Sequence, residues 1–139
     1  MSRKTFTLHP QLAEDCHVLG ETATALVLLH RNATVPWLIL VPRTTHGEFL
    51  ELPDALRASL LDDCARLARY IRSRHGAEKI NFAAIGNLVP QLHLHVVGRH
   101  AGDACWPLPV WGHLKTTAAY CEAEVTTIRE EIRAALGIG

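Results

Sequence analysis

The chain has 139 residues, enough for one domain with a real core, and its 14 Lys and Arg balance its 14 Asp and Glu. That balance leaves no net field to draw it to nucleic acid or to an anionic membrane, although a small charged ligand needs only local charge. The four cysteines, Cys16, Cys64, Cys105 and Cys121, lack zinc spacing and are too scattered for a disulfide framework. Free thiols in a reducing, cytoplasmic setting fit them better. The first residues show no apolar secretory segment, and no apolar run approaches transmembrane length.

In chain order, residues 6–15 read as an irregular arm punctuated by Pro10, with room for one helical turn. Residues 16–22 read as a strand, with Gly20 opening its turn. Residues 23–30 and 37–42 are strongly apolar and predict two strands of an antiparallel hairpin, separated by a polar break that ends at Pro36. From residue 52 the period changes: Leu56, Leu60, Leu61, Cys64, Leu67, Ala68 and Ile71 recur at threes and fours, which predicts a helix over 52–75. Asp54 suits its start, Arg72, Arg74 and His75 suit its end, and Gly76 is the expected stop. Residues 79–85 predict a further strand, and residues 100–113 a loop. That loop carries Trp106 and Trp111, which should pack over a cleft or a partner subunit rather than stand in water. Residues 117–136 predict a second long helix, with Cys121, Val125, Ile128, Ile132 and Leu136 on one stripe and Gly137 as its end. Mostly antiparallel strands with two long helices make a single α+β domain over 1–139.

The stretch 86–99, GNLVPQLHLHVVGR, is where chemistry concentrates. A strand sends alternate side chains to opposite faces. Gln91, His93, His95 and Val97 should share one face, and Leu92, Leu94 and Val96 the other, against the core. Residues 91–97 are the expected strand, with Gly86 and Asn87 as a turn before it and Pro90 at its start. Residue chemistry alone leaves three readings of the paired imidazoles: catalysis, two ligands of a zinc site, or a structural role. The other histidines, His9, His17, His30, His46, His75, His100 and His113, share no spacing and read as mostly ordinary surface residues.

The run Gln91-Leu92-His93-Leu94-His95-Val96-Val97 resembles the signature of the histidine triad (HIT) family, His-φ-His-φ-His-φ-φ with φ apolar. It matches at every apolar position and at the second and third histidines; Gln91 stands in place of the first. The approach IGNLVPQ, the strand LILVPR at 38–43, and Trp106-Pro107 are also similar to the family pattern. The resemblance implies an antiparallel sheet with helices packed on it, a homodimer, and a small-molecule nucleotide as substrate, with no metal or other cofactor. It implies a hydrolase or nucleotidyl transferase acting on a dinucleoside polyphosphate or a nucleoside phosphoramidate. In that chemistry His93 attacks the α-phosphate and forms a nucleotidyl-histidine intermediate. His95 contacts the phosphoryl oxygens or assists the leaving group, and Asn87 offers an amide donor to phosphate.

A neutral imidazole suits that role, because its ordinary pKa of about 6.5 leaves it largely unprotonated at neutral pH. Attack on phosphorus would divide one hard hydrolysis into two easier steps. The departures bear on the outcome. Gln91, expected among the catalytic residues, can donate and accept hydrogen bonds but cannot carry a positive charge. Trp37 occupies a position where the family often has histidine, and is expected at the substrate. For the ribose, His30, Arg31 and Asn32 are the candidates, and Asn32 is preferred on side-chain chemistry. Gln91 and Trp37 together favour an alternative, a nucleotide-binding module with little catalysis; a zinc protein built on His93 and His95 is the third reading.

Overall fold

A computed structural model describes residues 6–139. A short helix α1 (Pro10–Asp15) leads into β1 (Cys16–Glu21), β2 (Ala25–His30) and β3 (Trp37–Pro42). Helix α2 (Asp54–His75), β4 (Lys79–Ala83), β5 (Leu94–Arg99) and α3 (Glu122–Leu136) follow. All strand pairs are antiparallel, and the spatial order is β1-β2-β3-β5-β4. This is the expected α+β architecture, with α2 and α3 as its two long helices. Among the described residues no helix is long and apolar enough to cross a membrane.

The sheet divides two apolar clusters. On one side Leu38, Leu40, Leu94 and Val96 pack with Leu60, Leu67 and Ile71 of α2 and with Val125, Ile128 and Ile132 of α3. On the other, Leu28, Trp37, Ile39, Val41 and Val97 pack with Leu12 of α1 and Val110 of the long loop. Helix α2 lies close to the sheet at Gly98, where an added Cβ would collide with Ile71 and with Pro36. Only a residue without a side chain lets α2 settle there. Gly76 and Gly137 end α2 and α3 in left-handed backbone, both at φ 66°.

Ends of β2, α2 and β4 shift by two residues from the sequence expectation, and three further differences have a local reason. Gly20 does not open a turn: it lies inside β1, at an irregularity in the pairing with β2. The turn falls at Thr22, whose hydroxyl accepts from the amides of Thr24 and Ala25. The strand expected at 91–97 is displaced to Leu94–Arg99. Its neighbours explain this: β4 pairing ends at Ala83 opposite His95, and β3 pairing ends at Leu40 opposite Leu94, two residues before Pro42, which has no amide hydrogen. Helix α3 begins at Glu122 rather than 117, because a capping box fixes its start: the amide of Cys121 donates to the Glu124 carboxylate. Cys121 is therefore an exposed cap and not part of the apolar stripe. Ahead of it, Thr116 and Ala118 are tied to Asn32 by hydrogen bonds.

Candidate active site

A cleft of about 780 Å³ opens on the side of the sheet away from α2 and α3. It is lined by α1, the ends of β2 and β3, the 85–89 turn, residues 93 and 95, and the loop at 110–114. The alternation expected from the sequence holds here even though residues 91–93 are outside the ladder. Leu92, Leu94 and Val96 join the helix-side core, while His93 and His95 face the cleft with ring centroids 4.8 Å apart.

Each ring is fixed by one hydrogen bond that also fixes its tautomer. The Nδ1 of His93 lies 2.7 Å from the backbone oxygen of Gln91. A carbonyl can only accept, so Nδ1 carries the hydrogen, and in the neutral ring Nε2 keeps its lone pair. His95 is held the other way round. The indole Nε1–H of Trp37 donates to His95 Nδ1 at 3.0 Å. An indole can only donate, so Nδ1 is bare and the neutral His95 ring presents Nε2–H. Burial, then the neighbouring His93 and His30, push the His95 pKa down to about 3. At neutral pH His95 is thus an uncharged hydrogen-bond donor.

Trp37 is itself pinned between rings. His30 stacks on it at 4.0 Å with an interplanar angle of 10°, and Trp111 meets it edge-on at 6.0 Å. Trp111 also meets the His95 ring at 5.2 Å. Burial lowers the His30 pKa, and its Nδ1 accepts from the amide of Asn32 at 3.1 Å. Of the two loop tryptophans, Trp111 lines the cleft, whereas Trp106 is 39% exposed and lies beside the Arg99 guanidinium.

Five of the six residues singled out by sequence meet at this cleft: His93, His95, Trp37, Asn32 and Asn87. Asn87 is exposed at the rim, after Gly86 in left-handed backbone at φ 66°. Asn32 arrives with its amide already engaged. Its Oδ1 accepts from Thr34 and from the amide of Ala118, and its Nδ2 donates to the Thr116 carbonyl. What it offers the cleft is chiefly the placement of the loop that it ties down. Gln91 is the exception. Its side chain does not open onto the cleft beside His93 and His95, as simple alternation predicts; it reaches back to the amino-terminal arm, where Thr7 and His9 satisfy it.

His9, Leu12 and Val110 also line the cleft and carried no sequence signal of a site. They lie on the arm, α1 and the long loop, so no spacing in the chain links them to His93. Among the lining residues there is no Lys or Arg. Asp15 also lines the cleft, so recognition of an anion here would rest on hydrogen bonding, with His95 Nε2–H as one donor, rather than on a basic field. Among the described residues no cluster of three His, Cys, Asp or Glu side chains suits a metal ion.

The long loop is held down by one buried ion pair. Arg99, 1% exposed, donates from Nε and Nη2 to the two carboxylate oxygens of Asp103 at 2.7 and 3.1 Å, and from Nη1 to Asn81 Oδ1 at 3.0 Å. Asp103 also accepts from the amides of His100, Cys105 and Trp106. These bonds, that to Arg99 foremost, hold its pKa down at about 2. The pair sets the path that brings Val110 and Trp111 to the cleft.

Comparison with known proteins places these observations among relatives. Residues 11–102 match the family described as the HIT domain. A histidine triad protein from Marinobacter aquaeolei is 40% identical, with a TM-score of 0.88, over 96% of this chain and 98% of its own. Histidine triad proteins from Sinorhizobium meliloti and Bradyrhizobium japonicum are 38% and 36% identical, both with a TM-score of 0.88. They are matched over 95% and 96% of this chain and over 98% and 99% of their own. A comparison with curated proteins finds no match.

Proposed function

The chain belongs to the histidine triad family, and on that footing we propose that it is a hydrolase or nucleotidyl transferase acting on a nucleoside phosphate derivative through His93. The single observation that carries this reading is the hydrogen bond from His93 Nδ1 to the Gln91 carbonyl. It orients the ring and leaves the Nε2 lone pair for a phosphorus atom in the cleft. A nucleophile held this way starts near its attacking geometry.

In the proposed reaction Nε2 of His93 attacks the α-phosphate. A P–N bond forms as the P–O or P–N bond to the leaving group breaks; a phosphate leaves as its anion, and an amine leaves with a proton taken from water. Water or another acceptor then attacks the same phosphorus, and the His93 ring leaves. His95 takes the part of a neutral donor, its Nε2–H directed at a non-bridging oxygen whose charge grows in the transition state. Its low pKa favours this over a proton-delivering role, since no imidazolium is available near pH 7. The amide of Asn87 at the rim is a second donor to phosphate. Trp37 acts through His95 by fixing its tautomer. Asn32 positions the 116–118 segment at the ribose end.

The free outer edge of β4, with Phe82 46% exposed, suits the homodimer implied by the family resemblance.

The test is His93→Ala, assayed with diadenosine triphosphate and with an adenosine phosphoramidate. Turnover should fall about a thousandfold or more, because the covalent route is removed, while the thermal midpoint stays near that of wild type. Undiminished turnover would overturn the reading. Binding of adenosine monophosphate by a wild-type protein that turns over neither substrate would favour a nucleotide-binding module instead.

A further inference from the structure

Position 91 is where the family pattern has its first histidine, and the structure gives the glutamine there a different task. The His9 amide donates to Gln91 Oε1 at 2.8 Å, and Gln91 Nε2 donates to the Thr7 carbonyl at 2.9 Å. A carboxamide carries a donor and an acceptor on one planar edge, as a peptide group does. It can therefore pair with the backbone of residues 7–9 as a neighbouring strand would. An imidazole cannot, because its two nitrogens diverge on either side of a carbon. A carboxylate cannot either, since it has nothing to donate.

The same residue holds the His93 ring through its backbone oxygen. One glutamine thus sets both the nucleophile and the arm. The arm, pinned there, brings the His9 ring to the cleft shared by His93 and His95. His9 Nδ1 accepts from the Gln11 amide at 3.1 Å, so the neutral ring carries its hydrogen on Nε2. Among the described residues Nε2 has no protein partner.

Taking the nucleotide reading of the site as given, we infer that His9 contacts the substrate, donating from Nε2 to a phosphate oxygen, and that Gln91 is the positioning residue that delivers it. The geometry favours phosphate over base or ribose: His9 is tied to Gln91, the residue whose carbonyl holds the His93 ring, whereas Trp37, His30 and Asn32 follow on from His95. The arm thereby supplies a third histidine where the triad pattern has lost its first.

The experiment is a double-mutant cycle in the full chain, with His9→Ala, Gln91→Ala and the two combined, and His93→Ala run beside them. Turnover of an adenosine phosphoramidate and binding of adenosine monophosphate are read together. His9→Ala should lower kcat/KM about ten- to a hundredfold, the worth of a hydrogen bond to a charged group, with little change in thermal midpoint. Gln91→Ala should speed hydrogen exchange at the His9 amide and lower kcat/KM at least as far. The double variant should be no worse than Gln91→Ala, since the ring has already left the cleft. In wild type the His9 ring nitrogen resonances should shift on titration with adenosine monophosphate. If wild type turns over substrate and His93→Ala does not, but His9→Ala matches wild type or the two losses simply add, this inference alone falls. If wild type neither binds nor turns over a nucleotide, the parent reading fails and this one with it.

Discussion

On the helix side of the sheet, Leu38, Leu40, Leu94 and Val96 meet Leu60, Leu67, Ile71 and Ile132. On the other side the same strands present Trp37, His95 and Arg99, and among the described residues the buried polar ones, His93, His95 and Arg99, lie on that side. The helix side is held by volume: any apolar shape that fills it well would serve. On the cleft side His93, His95 and Arg99 are each held by a named partner, the Gln91 carbonyl, Trp37 and Asp103 in turn, while the buried indole N–H of Trp111 is left without one among the described residues. Volume can be altered gradually. A partner is present or absent, and its loss strands a buried donor, acceptor or charge. The two faces should therefore respond differently to substitution.

The largest effect on stability is expected at Arg99. Arg99→Met leaves Asp103, whose side chain is 2% exposed, without its counter-charge. The expected loss is ~3–5 kcal/mol in urea unfolding. Arg99→Met combined with Asp103→Leu should cost clearly less than the sum of the single changes, because an apolar pair restores balance where a lone charge cannot. Additive losses would mean that the pair does not act as a unit. Leu67→Ala, on the helix side and 0% exposed, should cost ~2–5 kcal/mol through the cavity it leaves. Its kcat/KM below the unfolding transition should stay within about twofold of wild type. A large loss of activity there would erase the distinction between the faces.

This contrast also separates what could be read from the sequence from what could not. The helix side was legible because its code is periodic: Leu60, Leu67 and Ile71 on α2, Leu94 and Val96 on β5, Val125 and Ile132 on α3 all follow from spacing. The pair of cleft imidazoles was legible for the same reason, since His93 and His95 alternate against those leucines. The partners were not. Gln91 meets residues 82 and 84 positions away, and Trp37 meets His95 across 58. No local pattern encodes such contacts. Alternation alone turned Gln91 toward the cleft, where backbone donors and acceptors of the arm in fact claim it. Asn32 was chosen for its chemistry as a ribose ligand, but the 116–118 loop engages that chemistry first.

Acid should release the groups of the cleft side one after the other. His95 keeps a pKa of about 3 when folded but recovers an ordinary value near 6.5 when unfolded. Below pH 6.5 the unfolded chain binds a proton that the folded chain refuses, so stability falls as pH falls, by up to ~1.4 kcal/mol per pH unit. His30, also lowered by burial, adds in the same direction. Asp103 enters later. Its folded value of about 2 lies below the ordinary 3.8, so its contribution is complete above pH 3.8 and disappears toward pH 2. Urea unfolding across pH 7 to 4 should show a decline that His95→Gln flattens. Asp103 variants should leave the slope over that window unchanged, and a slope insensitive to His95→Gln would mean that this ring is protonated in the folded state.

The smallest change, and the most discriminating, is Trp37→Phe. The phenyl ring can still stack on His30 and meet Trp111, so the cleft wall stays aromatic though somewhat smaller. What is lost is one N–H to His95 Nδ1. Stability should fall by only about 1–2 kcal/mol, the cost of leaving one buried acceptor unpaired. The tautomer of His95 should lose its lock, and ring nitrogen NMR should show a mixture where wild type shows hydrogen on Nε2 alone. Because only the Nε2–H form can donate to a phosphate oxygen, kcat should drop about tenfold, and KM should move less. A variant that loses stability but keeps both the single tautomer and the rate would show that Trp37 serves the cleft by volume, as the leucines serve the other face, and the partner rule would then stop at His93 and Arg99.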